Sequence, residues 1–445
     1  MKISIIGTGY VGLVTGICLA EKGHHVVCVD LDSDKVKTIN EGITPIYEEG
    51  LDTMLQRNIG KSFSATTDIE SAVQKTDISL IAVDTPYDGD KIDLSSIKKA
   101  ASDVGAVLNK KDSYHVIVVK STVIPGTTDG DILSILERKS GKKAGTDFGV
   151  GMSPEFLREG QAVSDYMNPD RIILGGIDEK THSMMDKVYS VFEDVEIIKT
   201  NCKTAEMIKY TANSLLATLI SFSNEIGNLC ADIKDVDIIE VMNGVHKDER
   251  FSPILPDGSR ITPGFISYLA AGCGFGGSCF PKDVKALISY GKERGNSMQL
   301  LDSVIKVNKE QPEKIVSILN KHVSELNGAK IAILGLAFKS GTDDIRESPA
   351  IPIVKYLLSK GAKVKAYDPI AQTEAKKLFG NHNLSYPGTL KEALTDIEAA
   401  ILLTSWQEFE IVPKILKSAR KQPVFIDGRR MLPKNSVQNY EGIGL

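Results

Sequence analysis

Lys2-Ile3-Ser4-Ile5-Ile6-Gly7-Thr8-Gly9-Tyr10-Val11-Gly12 opens the chain with a β-branched run, a glycine turn and the start of a helical pattern. The spacing Gly-x-Gly-x-x-Gly answers a steric demand: Gly7 permits the tight turn, Gly9 lets a pyrophosphate approach the backbone, and Gly12 allows helix and strand to pack closely. A helix beginning there offers amide donors and a positive dipole end to phosphates. Asp30 closes the second apolar run, about where an acid can accept ribose hydroxyls and repel a 2′-phosphate. The cofactor expected is therefore NAD rather than NADP.

Further continuous apolar runs, at residues 78–84, 115–121 and 171–176, alternate with helix-period segments. Parallel strands covered on both faces read this way. Residues 203–231 lack proline and hold one glycine, Gly227, which predicts one long helix, kinked or straight at that point. Residues 250–277 are rich in proline and glycine, and strand-like runs return at 330–335, 362–367, 399–404 and 423–427. The fold class expected is α/β, with two Rossmann-like doubly wound domains joined by a long central helix. The boundaries expected are 1–200 for an NAD-binding domain, 201–310 for a central helical region with the cysteine loop, and 311–445 for a second Rossmann-like domain. A long apolar helix of this kind commonly pairs with its own copy, so a homodimer or higher homo-oligomer is expected.

Apolar residues make up 42% of the 445 and charged residues 25%, the balance of a globular protein. A net charge of -5 argues against a nucleic-acid partner. The most apolar stretch, around 214–222, is bounded by Lys209 and Glu225, too short for the ~20 residues a bilayer requires. No membrane partner and no secretory signal are expected. The six cysteines show no zinc spacing, and a reducing cytoplasm suits them better than a disulfide framework.

One cysteine stands apart. Ala271-Gly-Cys273-Gly274-Phe275-Gly276-Gly277-Ser278-Cys279-Phe280-Pro281-Lys282-Asp283 places Cys279 after a glycine loop and before a helix expected from Lys282. A thiol near a helix N-terminus and beside a lysine ionises more readily than a free one. Asp283 is close enough to act as a base or to orient water. A nicotinamide cofactor with a nucleophilic thiol supports two successive oxidations, of an alcohol to a trapped aldehyde and of that adduct to a thioester, then hydrolysis. Met152-Ser153-Pro154-Glu155-Phe156-Leu157-Arg158-Glu159-Gly160 spaces two carboxylates to share one face if helical, and Lys209 and Asn213 are likewise four apart. The strand ends Val83-Asp84-Thr85-Pro86 and Lys120-Ser121-Thr122 belong to the same crevice by the carboxyl-end rule.

Taken in order, the Gly7–Gly12 turn, Thr85-Pro86, Ser121-Thr122, the Glu155–Gly160 block, Lys209-Tyr-x-x-Asn213, the Gly274–Asp283 block and Gly335-Leu-Ala-Phe338-Lys339 resemble the UDP-glucose 6-dehydrogenases, within the wider nucleotide-sugar dehydrogenase group. The resemblance runs from residue 1 to about 430. It implies NAD-dependent oxidation of the sugar carbon-6 hydroxyl of UDP-glucose to a carboxylate, with GDP-mannose or a UDP-N-acetylhexosamine as the alternative substrate. Cys279 would be the nucleophile, Lys209 and Asp283 would stabilise the oxyanion and position water, and Glu159 would be the base for thioester hydrolysis. Thr122 would hold a water and Asn213 would assist. Cofactor contacts implied are Gly7, Gly9, Tyr10, Val11, Gly12, Asp30, Lys35, Thr85, Thr122, Glu155, Lys282 and Arg346. Substrate contacts implied are Glu155, Phe156, Leu157, Lys209, Asn213, Tyr268, Gly276, Phe338, Lys339, Arg429 and an arginine of the loop 251–264, Arg260 or else Arg250. Lys339 and Arg429 would neutralise pyrophosphate charge. The chain departs from the pattern at Asp84, where a small or apolar residue is usual, and at Cys273, Ser153 and the long loop.

Overall fold

Ile3 and Ile5 enter one hydrophobic core and Ile6 another, as a strand covered on both faces must. The computed structural model describes residues 1–445, which form two units, Met1–Ala212 and Asn213–Leu445. The first is built on eight strands: β1 (Lys2–Ile6), β2 (His25–Val29), β3 (Phe63–Thr66), β4 (Ile78–Ile81), β5 (His115–Val119), β6 (Phe148–Met152), β7 (Arg171–Gly176) and β8 (Glu196–Thr200). Their order is β3-β2-β1-β4-β5-β6-β7-β8, with every pair parallel except β6 and β7. Strand order reverses between β1 and β4. Their carboxyl ends therefore flank the crevice where doubly wound sheets bind ligands.

The five runs expected in this unit are strands, and three further strands complete the sheet. β6 escapes a hydrophobic reading because Gly149 and Gly151 interrupt it. Both are required by close packing, since a Cβ would stand 2.5 Å from Thr181 Oγ1 at Gly149 and 2.5 Å from Met185 Sδ at Gly151.

The helix Cys202–Cys230 runs unbroken past Gly227 and carries the chain across the unit boundary. In the second unit, β9 (Lys330–Leu334), β10 (Lys363–Tyr367), β11 (Leu384–Ser385), β12 (Ala399–Leu402), β13 (Val424–Asp427) and β14 (Tyr440–Gly442) form a parallel sheet in the order β11-β10-β9-β12-β13-β14.

The two sheets repeat one device. Gly7 N donates to Val29 O and Gly335 N to Tyr367 O, each at 2.8 Å, and both glycines have positive φ, 102° and 97°. Asp30 and Asp368 each directly follow the second strand of their sheet and accept amides from that turn. The turns then diverge. After Gly9 a helix begins at once, Tyr10–Glu21, whereas the first helix after β9 is Ala350–Ser359. Asp368 also accepts the amides of Ile370 and Ala371 and the Trp406 indole N–H. With all these donors on a buried carboxylate, the second turn has neither a helix end for phosphates nor a free acid for ribose.

Candidate active site

Three glycines shape the first turn, each for a separate reason. A Cβ on Gly7 would lie 2.8 Å from Ala82 O, and one on Gly12 would overlap the Gly7 carbonyl. At Gly9, by contrast, the space is open apart from Asp84 Oδ1 at 3.5 Å. Close packing thus forbids side chains at the first and third positions, and the middle one is left clear for a ligand. That is the arrangement a pyrophosphate requires.

At the end of β2, Asp30 Oδ2 accepts the Thr8 amide at 3.0 Å and the Thr8 hydroxyl, with Lys35 Nζ 3.5 Å away. Burial pushes this carboxyl up, but the Thr8 and Asp32 hydrogen bonds and Lys35 outweigh it and hold the group below its ordinary range. An ionised acid therefore stands beside the glycine turn, just past the carboxyl end of β2. Replacing Asp30 by alanine is expected to weaken NAD about tenfold and to relax discrimination against NADP. Dissociation constants for both dinucleotides test this, and unchanged selectivity would remove the ribose role.

Thr85 donates its hydroxyl to Thr122 O at 2.7 Å, and Ser121 donates to Val83 O at 2.6 Å. These bonds tie together the loops that follow β4 and β5. Thr122 is half-buried at the second of them.

Glu155 and Lys209 form a buried ion pair, with Nζ 2.9 Å from Oε1 and side-chain exposures of 7% and 3%. Glu155 Oε2 also accepts the Leu157 amide at 2.7 Å. Burial raises this carboxyl, and Lys209 with the hydrogen bonds more than offsets that, so it stays below its usual value. Two cations stand over the Phe156 ring, Lys209 Nζ at 5.4 Å and the Arg171 guanidinium at 4.3 Å from its centroid. Residues 153–158 are not helical, and a turn follows at Glu159–Gly160. The conditional expectation that Glu155 and Glu159 share a helix face is thus corrected. Pro154 disfavours a helical Ser153 before it, and the turn is fastened from elsewhere.

That fastening comes from Glu48, which sequence reasoning missed. Its buried carboxylate accepts the Tyr10 hydroxyl and the amides of Gly160 and Ala162, both at 2.8 Å. One acid thereby connects the cofactor turn to the segment carrying Glu159. Glu206, also missed, is fully buried and accepts the amides of Gly126 at 2.6 Å and Thr128 at 2.8 Å, fixing the loop after Thr122. Burial pushes its carboxyl up to about 7 against the pull of Thr128 and Gly126.

A raised acid has a definite consequence for stability. Between about 4.5 and 7 the unfolded chain releases this proton and the folded chain keeps it, so the contribution, about 3 kcal/mol, is lost as pH rises through that window. Glu206→Gln does not ionise, so its Tm relative to the parent should rise by several degrees from pH 5 to pH 8. A pH-independent difference would show that Glu206 titrates normally.

In the second unit, Cys279 is the N-cap of the helix Phe280–Glu293, with Pro281 in its first turn. The helix starts two residues earlier than expected, so the thiol stands at its end rather than before it. The other five cysteines are buried, and Cys279 is half-buried. Burial pushes the Cys18 and Cys202 thiols up to about 12. One turn along, Asp283 is 1% exposed and held between Lys282 Nζ at 2.6 Å and Asn213 Nδ2 at 2.6 Å.

The loop before Cys279 is pinned at several points. Gly277 N donates to Arg346 O at 2.8 Å, and its φ of 82° brings it against the Phe338 ring, 2.8 Å from where a Cβ would stand. Asn308 exchanges hydrogen bonds with the Phe275 backbone. Arg429 donates to Leu403 O, Gly274 O and Phe338 O at 2.7, 2.9 and 3.2 Å, so it clamps the cysteine loop to two strand ends. Phe338 and Lys339 are half-buried at the turn after β9. Arg346 forks onto Asp344. Arg260 binds Lys247 O and Ser252 O, both at 2.9 Å, bracing the long loop, whereas Arg250 pairs with Asp248. The Tyr268 ring lies 6.2 Å from that of Phe280, beside the thiol's helix.

The chain matches known proteins along its length. Residues 1–193 match the NAD binding domain of the UDP-glucose/GDP-mannose dehydrogenase family, 203–310 its central domain and 332–434 its UDP binding domain. The chain is 39% identical to UDP-glucose 6-dehydrogenase AglM of Haloferax volcanii, covering 100% of both chains. It is 41% identical to UDP-glucose 6-dehydrogenase TuaD of Bacillus subtilis, over 98% of this chain and 91% of that one. A solved UDP-glucose dehydrogenase from Pyrobaculum islandicum superposes with a TM-score of 0.89 at 36% identity, over 99% and 97% of the two chains.

Proposed function

The chain belongs to the UDP-glucose/GDP-mannose dehydrogenase family, and from that premise we propose that it oxidises UDP-glucose to UDP-glucuronate in two NAD-dependent steps joined at Cys279. The observation that carries this reading is the placement of Cys279, a half-buried thiol at a helix N-terminus, one turn from a buried aspartate. A simple alcohol dehydrogenase needs no such group.

NAD, held at the Gly7–Gly12 turn with Asp30 toward its ribose, would supply the hydride acceptor for each of the two two-electron steps. The roles of this chain's residues follow from chemistry and from the family likeness. The Cys279 sulfur adds to the carbonyl carbon of the aldehyde, giving a thiohemiacetal whose oxidation leaves a thioester. Lys209, with its charge set against Glu155, stabilises negative charge developing on oxygen. Asp283, oriented by Asn213 and Lys282, and Thr122 position water. Glu159 takes a proton from the water that cleaves the thioester and frees the thiol. In sum, a primary alcohol, two NAD and one water give a carboxylate, two NADH and three protons.

The UDP moiety is assigned to the second unit, with Phe338, Lys339 and Arg429 at its strand ends. Counting NADH per sugar consumed tests the reading: about two with UDP-glucose and none with GDP-mannose or a UDP-N-acetylhexosamine. Turnover with either of the latter alone would transfer the assignment to that sugar.

We also assign a homodimer to the helix Cys202–Cys230. Leu215, Phe222 and Leu229 are exposed on it at seven-residue intervals, with Met207 also exposed, the spacing by which helices pair with their own copies. Phe222→Glu should give a monomer by sedimentation, and an unchanged mass would exclude that face. Six free cysteines suit a reducing cytoplasm, and no helix is long and apolar enough to cross a membrane.

A further inference from the structure

Asp84 has no part in the chemistry above, yet it stands at the cofactor turn. It follows β4, on one wall of the crevice between the carboxyl ends of β1 and β4. Its side chain is exposed and forms no hydrogen bond or ion pair. Its Oδ1 lies 3.5 Å from the Cβ position of Gly9, and apart from Gly9's chain neighbours no other group comes within 4 Å of that point. Gly9 is also the N-cap of the helix Tyr10–Glu21, which has no side-chain cap and no acid in its first turn. An uncompensated carboxylate therefore overlooks the one open face of the turn, where the amides invite an anion.

We propose that Asp84 sets cofactor affinity by repulsion, weakening the dinucleotide in both redox states and so speeding its exchange. The inference rests on the dinucleotide reading of the turn. Its chemical sense follows from the two-step oxidation. One sugar must meet two NAD molecules in succession, so the first NADH has to leave while the sugar remains attached to the thiol. A negative charge beside the pyrophosphate acts on NAD and NADH alike, since both carry the same two phosphate charges. Because Asp84 is exposed, the repulsion operates in a high dielectric and is screened by salt.

The test compares the parent with Asp84→Asn and Asp84→Gly, titrating NAD by calorimetry and NADH by its fluorescence. ADP-ribose serves as a ligand with the pyrophosphate alone, and adenosine as one without it. Both variants should bind NAD, NADH and ADP-ribose about tenfold tighter at low salt, the gain shrinking to about twofold at 0.5 M NaCl, with adenosine unchanged. NADH release in stopped flow should slow in proportion. Equal affinity overturns the proposal. So does weaker binding by Asp84→Asn, which would make Asp84 an acceptor for a ribose hydroxyl. Absence of binding by the parent and both variants would sink the dinucleotide reading itself.

Discussion

Cys279→Ser should lower kcat by about ten-thousandfold or more while leaving the binding of NAD and UDP-glucose within a few-fold. The serine hydroxyl fills nearly the same space at the N-cap, where Ser is a favoured residue, so the helix Phe280–Glu293 should keep its start. What is lost is the nucleophile. A hydroxyl is a far weaker nucleophile at neutral pH, and an ester formed in place of the thioester would hydrolyse more slowly. Binding should survive because the glycine loop is held by its backbone and by Asn308, Arg346 O and Arg429. Calorimetry with each ligand and steady-state NADH production separate the two effects. Normal turnover in this variant would refute the covalent route.

Lys209→Ala should have the second large effect, on stability as well as rate. It strands the buried Glu155 carboxylate, left with only the Leu157 amide as a donor. Removing one partner of a buried ion pair costs about 3–5 kcal/mol. If Lys209 also stabilises charge in the transition state, kcat should fall a further hundredfold to thousandfold, about the worth of one such group. A double variant divides the roles. Lys209→Met combined with Glu155→Gln removes both charges, so it should recover most of the lost stability and none of the lost turnover. Recovery of both would reduce Lys209 to a structural cation, and recovery of neither would mean that the buried charge was not the source of the cost.

The cofactor turn was readable from sequence because its demands are local. Gly7, Gly9 and Gly12 answer steric constraints within a few residues, and Asp30 reaches back to Thr8 across adjacent parallel strands. The continuous apolar runs gave the central strands for the same reason. β6 was hidden because the close approach of Thr181 and Met185 requires glycines where a hydrophobic count looks for side chains. β11 and β14, of two and three residues, are too short to register as runs, and β3 alternates buried and half-buried residues instead of running apolar.

Site residues divided along similar lines. Cys279, Asp283 and Lys282 stand within one turn of a helix, so their spacing alone grouped them. Glu48 and Glu206 were illegible, because the amides they accept lie 112–114 and 78–80 residues away, and any sequence supplies amides. The helical option for Glu155 and Glu159 failed on tertiary grounds, since Glu48 fixes the turn at Gly160 and Lys209 fixes Glu155. Nor could charge patterns reveal that Arg429 would clamp three carbonyls, or that Asp368 would accept from Leu336, Ala337, Ile370, Ala371 and Trp406 together.

The most direct measurement is the mass of the peptide bearing Cys279, taken by rapid acid quench after mixing enzyme with one equivalent of UDP-glucose and excess NAD. Glu159→Gln, which slows thioester hydrolysis if Glu159 is the base, should make the intermediate accumulate. A covalent route predicts a burst of about two NADH per site, with the acyl group of UDP-glucuronate attached to that peptide. Two NADH per site with free UDP-glucuronate and an unmodified Cys279, in both the parent and the variant, would contradict it.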